Sequence, residues 1–152
     1  MSRTTRIVLM MSLLSAAGAI TACGSTTEPT PAPTLSTEAF TGTISPGGTA
    51  SHTFTVNYTG GSSDAGVTVT SLTSVATGAA QSMTIGIAFG TVNVGACSRL
   101  ASLSNAAAPL NVELPTTNTP FVAGTFCVQV YDNPESPTVK EPLTYSITVR
   151  HY

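Results

Sequence analysis

The sequence predicts an all-β fold, an antiparallel β-sandwich of seven to eight short strands, on three observations. Thr and Ser together fill 44 of the 152 positions, and β-branched residues at that density, mixed with Val, suit a pleated and half-buried surface. Segment after segment alternates apolar and polar residues with a period of two, the signature of a strand with one face in a core. No stretch carries a helical stripe of 3.6-residue period, and turn residues separate the alternating segments.

Taken in order, Ala39 to Ile44 forms the first strand and Ser45-Pro-Gly-Gly48 turns the chain. Ser51 to Tyr58 alternates next, with His52, Phe54, Val56 and Tyr58 on one face, and Gly60 to Asp64 breaks it. Val67 to Leu72 is the third strand. Met83, Ile85, Ile87 and Phe89 share one face of the fourth, with Thr84, Gly86 and Ala88 on the other. Leu110 to Leu114 is a short strand stopped by Pro115, which cannot donate to a ladder. Thr125 to Tyr131 turns Phe126, Val128 and Val130 to one side. The last strand sets Leu143, Tyr145, Ile147 and Val149 against Thr144, Ser146, Thr148 and Arg150. The 114 residues from 39 to 152 suffice for one such core and are too few for two.

The first 22 residues read as a secretory leader. Arg3 and Arg6 precede an apolar run from Ile7, and small residues follow at Ser15 to Ala19. The run reaches only to about Ile20 and is interrupted by Ser12, Ser15 and Gly18, so a spanning helix of about 20 apolar residues fits less well. Ile20-Thr21-Ala22-Cys23 then resembles the lipobox of bacterial lipoproteins, with Ile where Leu is commoner. The resemblance implies a diacylglycerol on the Cys23 sulfur, acylation of the new amine, and anchoring by two or three chains, each buried methylene adding about 0.8 kcal/mol. Gly24 in place of Asp after the cysteine points to the outer membrane. Residues 23–38 follow as a tether: Pro29, Pro31 and Pro33 alternate with Thr and Ala, an extended polyproline-like spacer of up to about 45 Å.

With Cys23 lipidated, Cys97 and Cys127 remain as a pair in an oxidising compartment. Cys127 has the parity opposite to Phe126 and Val128, which puts it on the outer face of its strand or at an edge. Cys97 falls in the segment Asn93 to Arg99, read as a loop. A bridge would pin that loop to the sheet, closing about thirty residues and adding roughly 3–4 kcal/mol. A metal or redox role is the lesser alternative, since the two Cys have no matching His pair and no C-x-x-C spacing.

Phe40-Thr-Gly-Thr-Ile44, Ser51 to Val56, Gly66 to Thr70, Ala123-Gly-Thr-Phe-Cys-Val-Gln-Val130 and Leu143-Thr-Tyr-Ser-Ile-Thr-Val149 occur in that order. The pattern resembles the bacterial pre-peptidase C-terminal (PPC) domain over about residues 39–150. The resemblance implies a sandwich of jelly-roll type, a domain that accompanies many secreted enzymes. Two departures are visible. Ala50-Ser51 stand where the family often has an acidic residue, and no attached catalytic domain fits in the chain. Some relatives bind calcium through acidic loops. Here Asp132-Asn133 with Glu135 is the only local acidic cluster, and Asn-Pro reads first as a turn.

Only 8% of residues are charged, five basic and seven acidic, against about 25% in an average soluble domain. Removing the leader leaves three cations against seven acids. Nucleic-acid binding is excluded, since it needs clustered Lys and Arg, and Arg99, Lys140 and Arg150 stand far apart. No G-x-S-x-G elbow occurs, and the two histidines are His52, on the apolar face of a strand, and His151. No cofactor motif is present. The expected function is a non-catalytic envelope lipoprotein, held to the membrane through Cys23 and binding a protein or a glycan. Alternatives are a structural accessory to a partner enzyme and, behind it, a small hydrolase. Tyr131 is the candidate glycan contact, with packing in an edge strand as the plainer role. Two or more exposed aromatics beside it would favour glycan binding, and His52 exposed next to a carboxylate would favour hydrolysis.

Overall fold

The structure is a computed structural model that describes residues 34–57, 64–116 and 121–152. The leader, Cys23, most of the tether, Tyr58 and residues 60–63 lie outside the described residues. The compact unit spans Ala32–Tyr152. It holds β1 (Ser36–Ile44), β2 (Thr49–Val56), β3 (Gly66–Ser74), β4 (Ile85–Asn93), β5 (Ala96–Ala108), β6 (Glu113–Pro115), β7 (Gly124–Tyr131) and β8 (Leu143–His151). No helix occurs among the described residues.

The strands form two antiparallel four-stranded sheets, ordered β1-β8-β3-β6 and β2-β7-β4-β5. Strands 1 and 8, 2 and 7, 3 and 6, and 4 and 5 pair, so the chain nests on itself like one long hairpin. Pairing of β3 with β8 and of β4 with β7 then divides that ribbon into two facing sheets. The tip of the hairpin is the two-residue turn Val94-Gly95, where both residues have positive φ, 48° and 78°. Such a turn matches the twist of the strands it joins, but a β-branched residue is rare there, and Val94 is fully exposed.

The core between the sheets is built from the inward halves of the alternating strands. Val67 and Val69 on β3, Ile85, Ile87 and Phe89 on β4, Val128 and Val130 on β7, and four residues of β8 from Leu143 to Val149 are all buried. The register of β3 on β8 shifts between Val69 and Ser71. That bulge resets the parity, so Leu72 turns inward instead of following Thr68 and Thr70 outward.

Several details differ from the sequence reading. The first strand starts at Ser36, three residues inside the expected tether. The fourth starts at Ile85, leaving Met83 and Thr84 outside. Leu110 and Asn111 form a turn, with Asn111 at φ 60°, so the short strand begins only at Glu113. The segment carrying Cys97 is no loop: it opens β5, a thirteen-residue strand with no clean alternation of its own.

Candidate functional site

Among the described residues, three clusters of polar and reactive side chains bear on function, apart from the exposed Arg150–Glu113 ion pair between β8 and β6. The first is the outer face of the second sheet. Cys97 and Cys127 form a disulfide with their Cα atoms 5.8 Å apart. It lies over Gly90 of β4, the register partner of Cys127. A Cβ on Gly90 would stand 2.9 and 3.0 Å from the two sulfurs and 2.5 Å from the Ser98 carbonyl oxygen, so only glycine fits beneath the bridge. Cys127 has the outer parity expected of it, but β7 is flanked by β2 and β4, and the residue is wholly buried.

Tyr131 sits on the same face. Its ring occupies the space a side chain on Gly86 would need, and the Arg99 guanidinium lies 4.2 Å from the ring centroid on a cation–π contact. The ring is therefore covered, and Tyr131 is 5% exposed. It is a packing residue of an interior strand, and this geometry leaves its face closed to a sugar. The sequence pattern gives Gly86, Gly90 and Arg99 no role in covering this face. A glycine repeated within a strand pattern was the available signal, since it marks a close approach.

The second place lies between the sheets, along β1 and β2. His52 Nε2 and Tyr145 Oη are joined by a hydrogen bond of 2.8 Å, and the His52 ring stacks on Phe40 at 4.9 Å. Burial holds the His52 pKa below its ordinary value and pushes that of Tyr145 up, because both charged forms lose solvation. Burial thus favours the neutral form of both partners. His151 is 3% exposed; its Nε2 donates to Glu38 Oε1 at 2.7 Å, and its ring lies 5.2 Å from that of Phe54. Glu38 was read as tether, which hid this contact.

A hydrolytic site needs a nucleophile on a base and an orienting group behind that base. His52 has a phenol beside it and no carboxylate bonded to it among the described residues. The histidine that does meet a carboxylate, His151, is buried and turns Nδ1 toward the carbonyl of Tyr152 at 3.4 Å.

The third place is Asp132, 3% exposed. Its Oδ2 accepts from the Gly47 N–H at 2.9 Å, and Oδ1 from Thr138 and Val139 at 2.9 and 3.3 Å. Burial alone would raise its pKa; the three N–H donors and nearby Lys140 outweigh burial and lower it. The carboxylate ties the β1–β2 turn to the loop before β8. Asn133 Oδ1 accepts from Glu135 N–H at 3.1 Å, so the Asn-Pro segment is the turn expected of it. Among the described residues no three His, Cys, Asp or Glu converge as metal ligands would.

Among known proteins, no family model matches the chain and no curated protein matches it.

Proposed function

We propose that the chain is a non-catalytic lipoprotein of the bacterial cell envelope, anchored at Cys23, whose sandwich binds a protein partner. The observation that carries the non-catalytic reading is where the reactive side chains point. His52 is bonded to Tyr145, and the buried His151 to the partly exposed Glu38, while outward positions of β1, β2 and β8 carry mainly Thr and Ser. A protein is favoured over a glycan because the large apolar residues exposed among those described are Leu35, Val75, Val94, Val112 and Val122, none of them aromatic. Sugars are usually held by stacking on exposed rings. The nested pairing of strands supports the jelly-roll reading, since that fold is two interlocked Greek keys of eight strands. The PPC-like order of segments favours a second reading, an accessory to a secreted enzyme.

The anchor is tested with labelled palmitate in a bacterial host. Label should enter the parent chain and be absent from Cys23→Ser. Label retained on that variant, or missing from the parent, overturns the lipoprotein reading. Affinity capture with the mature protein from its native envelope should return a discrete protein; capture of a polysaccharide alone would overturn the choice of partner class.

A further inference from the structure

We propose that the β1–β2 side of the sandwich is a self-association surface, where a second copy of this chain pairs its own β1 and β2 edges with these across a two-fold axis. A sheet edge exposes unpaired N–H and C=O groups, and folded proteins blunt such edges with Pro, charge, bulges, short strands or covering loops.

The two sides of this molecule differ in that respect. On the β5–β6 side, β6 is three residues long and ends at Pro115. Beyond it the edge of β3 is covered, with Gln81 N–H donating to Leu72 and Asn111 N–H to Val69. On the same side β5 pairs with β4 through two register irregularities and carries Arg99 and the disulfide. Among the described residues the other side has none of these devices except one charge, Glu38 on β1. β1 and β2 are nine and eight residues long, and each pairs inward in an unbroken register. Neither contains Pro, Lys or Arg, and no described strand adds to their outer edges.

Three features favour a second copy over an unrelated extended peptide. The outward residues of β2 are Thr49, Ser51, Thr53 and Thr55, so antiparallel self-pairing sets hydroxyl against hydroxyl, a favourable cross-strand match, and opposes no like charges. The one carboxylate on β1, Glu38, stays 41% exposed but is engaged by His151. Both edges also lie on one side, bridged by the Phe40–His52 stack. A single peptide would extend one sheet, whereas a second copy offers two matching edges and covers that half-buried stack. Such an isologous contact closes at two copies.

The test is sedimentation equilibrium of the full chain, disulfide formed, in a density-matched detergent across micromolar concentrations. The protein mass should be that of two copies. Ser51→Lys with Thr53→Lys, which opposes cations across the axis, should weaken association at least about tenfold. Asn105→Lys on β5 should leave it unchanged. Amide exchange in β1 and β2, and not in β5, should slow as parent protein concentration rises, a readout that needs no variant. One-copy mass throughout overturns the proposal, as does a two-copy mass that the β2 lysines do not weaken, since that association would come from the lipid or another face. Because the charges act on β2 alone, these outcomes are independent of whether Cys23 carries lipid.

Discussion

The β5–β6 side and the β1–β2 side of the sandwich are closed by opposite means. On the first, the backbone is irregular and covalently pinned: β5 shifts register twice on β4, and the Cys97–Cys127 bridge passes over Gly90. On the second, the strands are regular and the holding is done by side chains, His52 to Tyr145 across the two sheets and His151 to Glu38 within one of them. Irregular backbone is poor at accepting a further strand, and regular backbone is good at it. The contrast ties stability to one side and, under the self-association proposal, recognition to the other.

That contrast can be broken, most severely at Gly90. Gly90→Val drives a side chain into the Ser98 carbonyl and both sulfurs. It should cost about 4 kcal/mol or more in urea unfolding, beyond ordinary overpacking. Thr41→Val, exposed on β1, should shift stability by no more than about 0.5 kcal/mol. Similar costs for the two would mean that the covered face is not under constraint.

Replacing both cysteines should come next. Cys97→Ser with Cys127→Ser removes a crosslink of sequence separation 30, worth about 3–4 kcal/mol in the chain-entropy account. Reduction of the parent should produce a matching fall in melting temperature. A double variant as stable as the parent would remove the bridge from the account of that side.

Acid should act on the opposite side. The pKa of His52 is lowered in the fold, so the unfolded chain binds the proton first. Stability is complete above the ordinary histidine value of about 6.5 and declines as pH falls below it. Asp132, also lowered, adds a second loss below about pH 4. Melting temperature should therefore fall between pH 7 and pH 5 in the parent and fall less in His52→Gln, which can still bond Tyr145. An equal fall in both would show that His52 is not the group responsible.

The smallest effect belongs to the hairpin tip. Val94 is β-branched at φ 48° and fully exposed, a conformation that costs most residues roughly 1–2 kcal/mol. Val94→Asn, which makes an Asn-Gly turn, should stabilise by up to about 1 kcal/mol. Destabilisation would mean that the valine is making a contact it is not seen to make.

The legibility of these parts in the sequence follows from the same physics. β2, β7 and β8 each present one face to the core, so alternation alone places Phe54, Val128 and Tyr145 correctly. The break in alternation at Thr70-Ser71 is the β3 bulge written in residues. β4 is buried on both faces through Gly90, because the disulfide and Tyr131 cover its outer side, and small residues at 86, 88 and 90 mimic an exposed face. β5 was hidden for a related reason. Its two register shifts on β4 destroy the period of two, so that the segment Asn93 to Arg99 reads as a loop. The contacts of the candidate site were less legible still, since Glu38 and His151 are 113 positions apart and neither carries a local motif. The cysteine pairing was readable because, with Cys23 assigned to lipid, only two cysteines remained.

Site-specific photo-crosslinking in the native envelope tests the division between the two sides most directly. A photoreactive side chain at Thr53, outward on β2, should join the protein to a partner, with a second copy of this chain among the products. The same group at Asn105 on β5 should give little or none. Products from Asn105 with none from Thr53 would contradict the account.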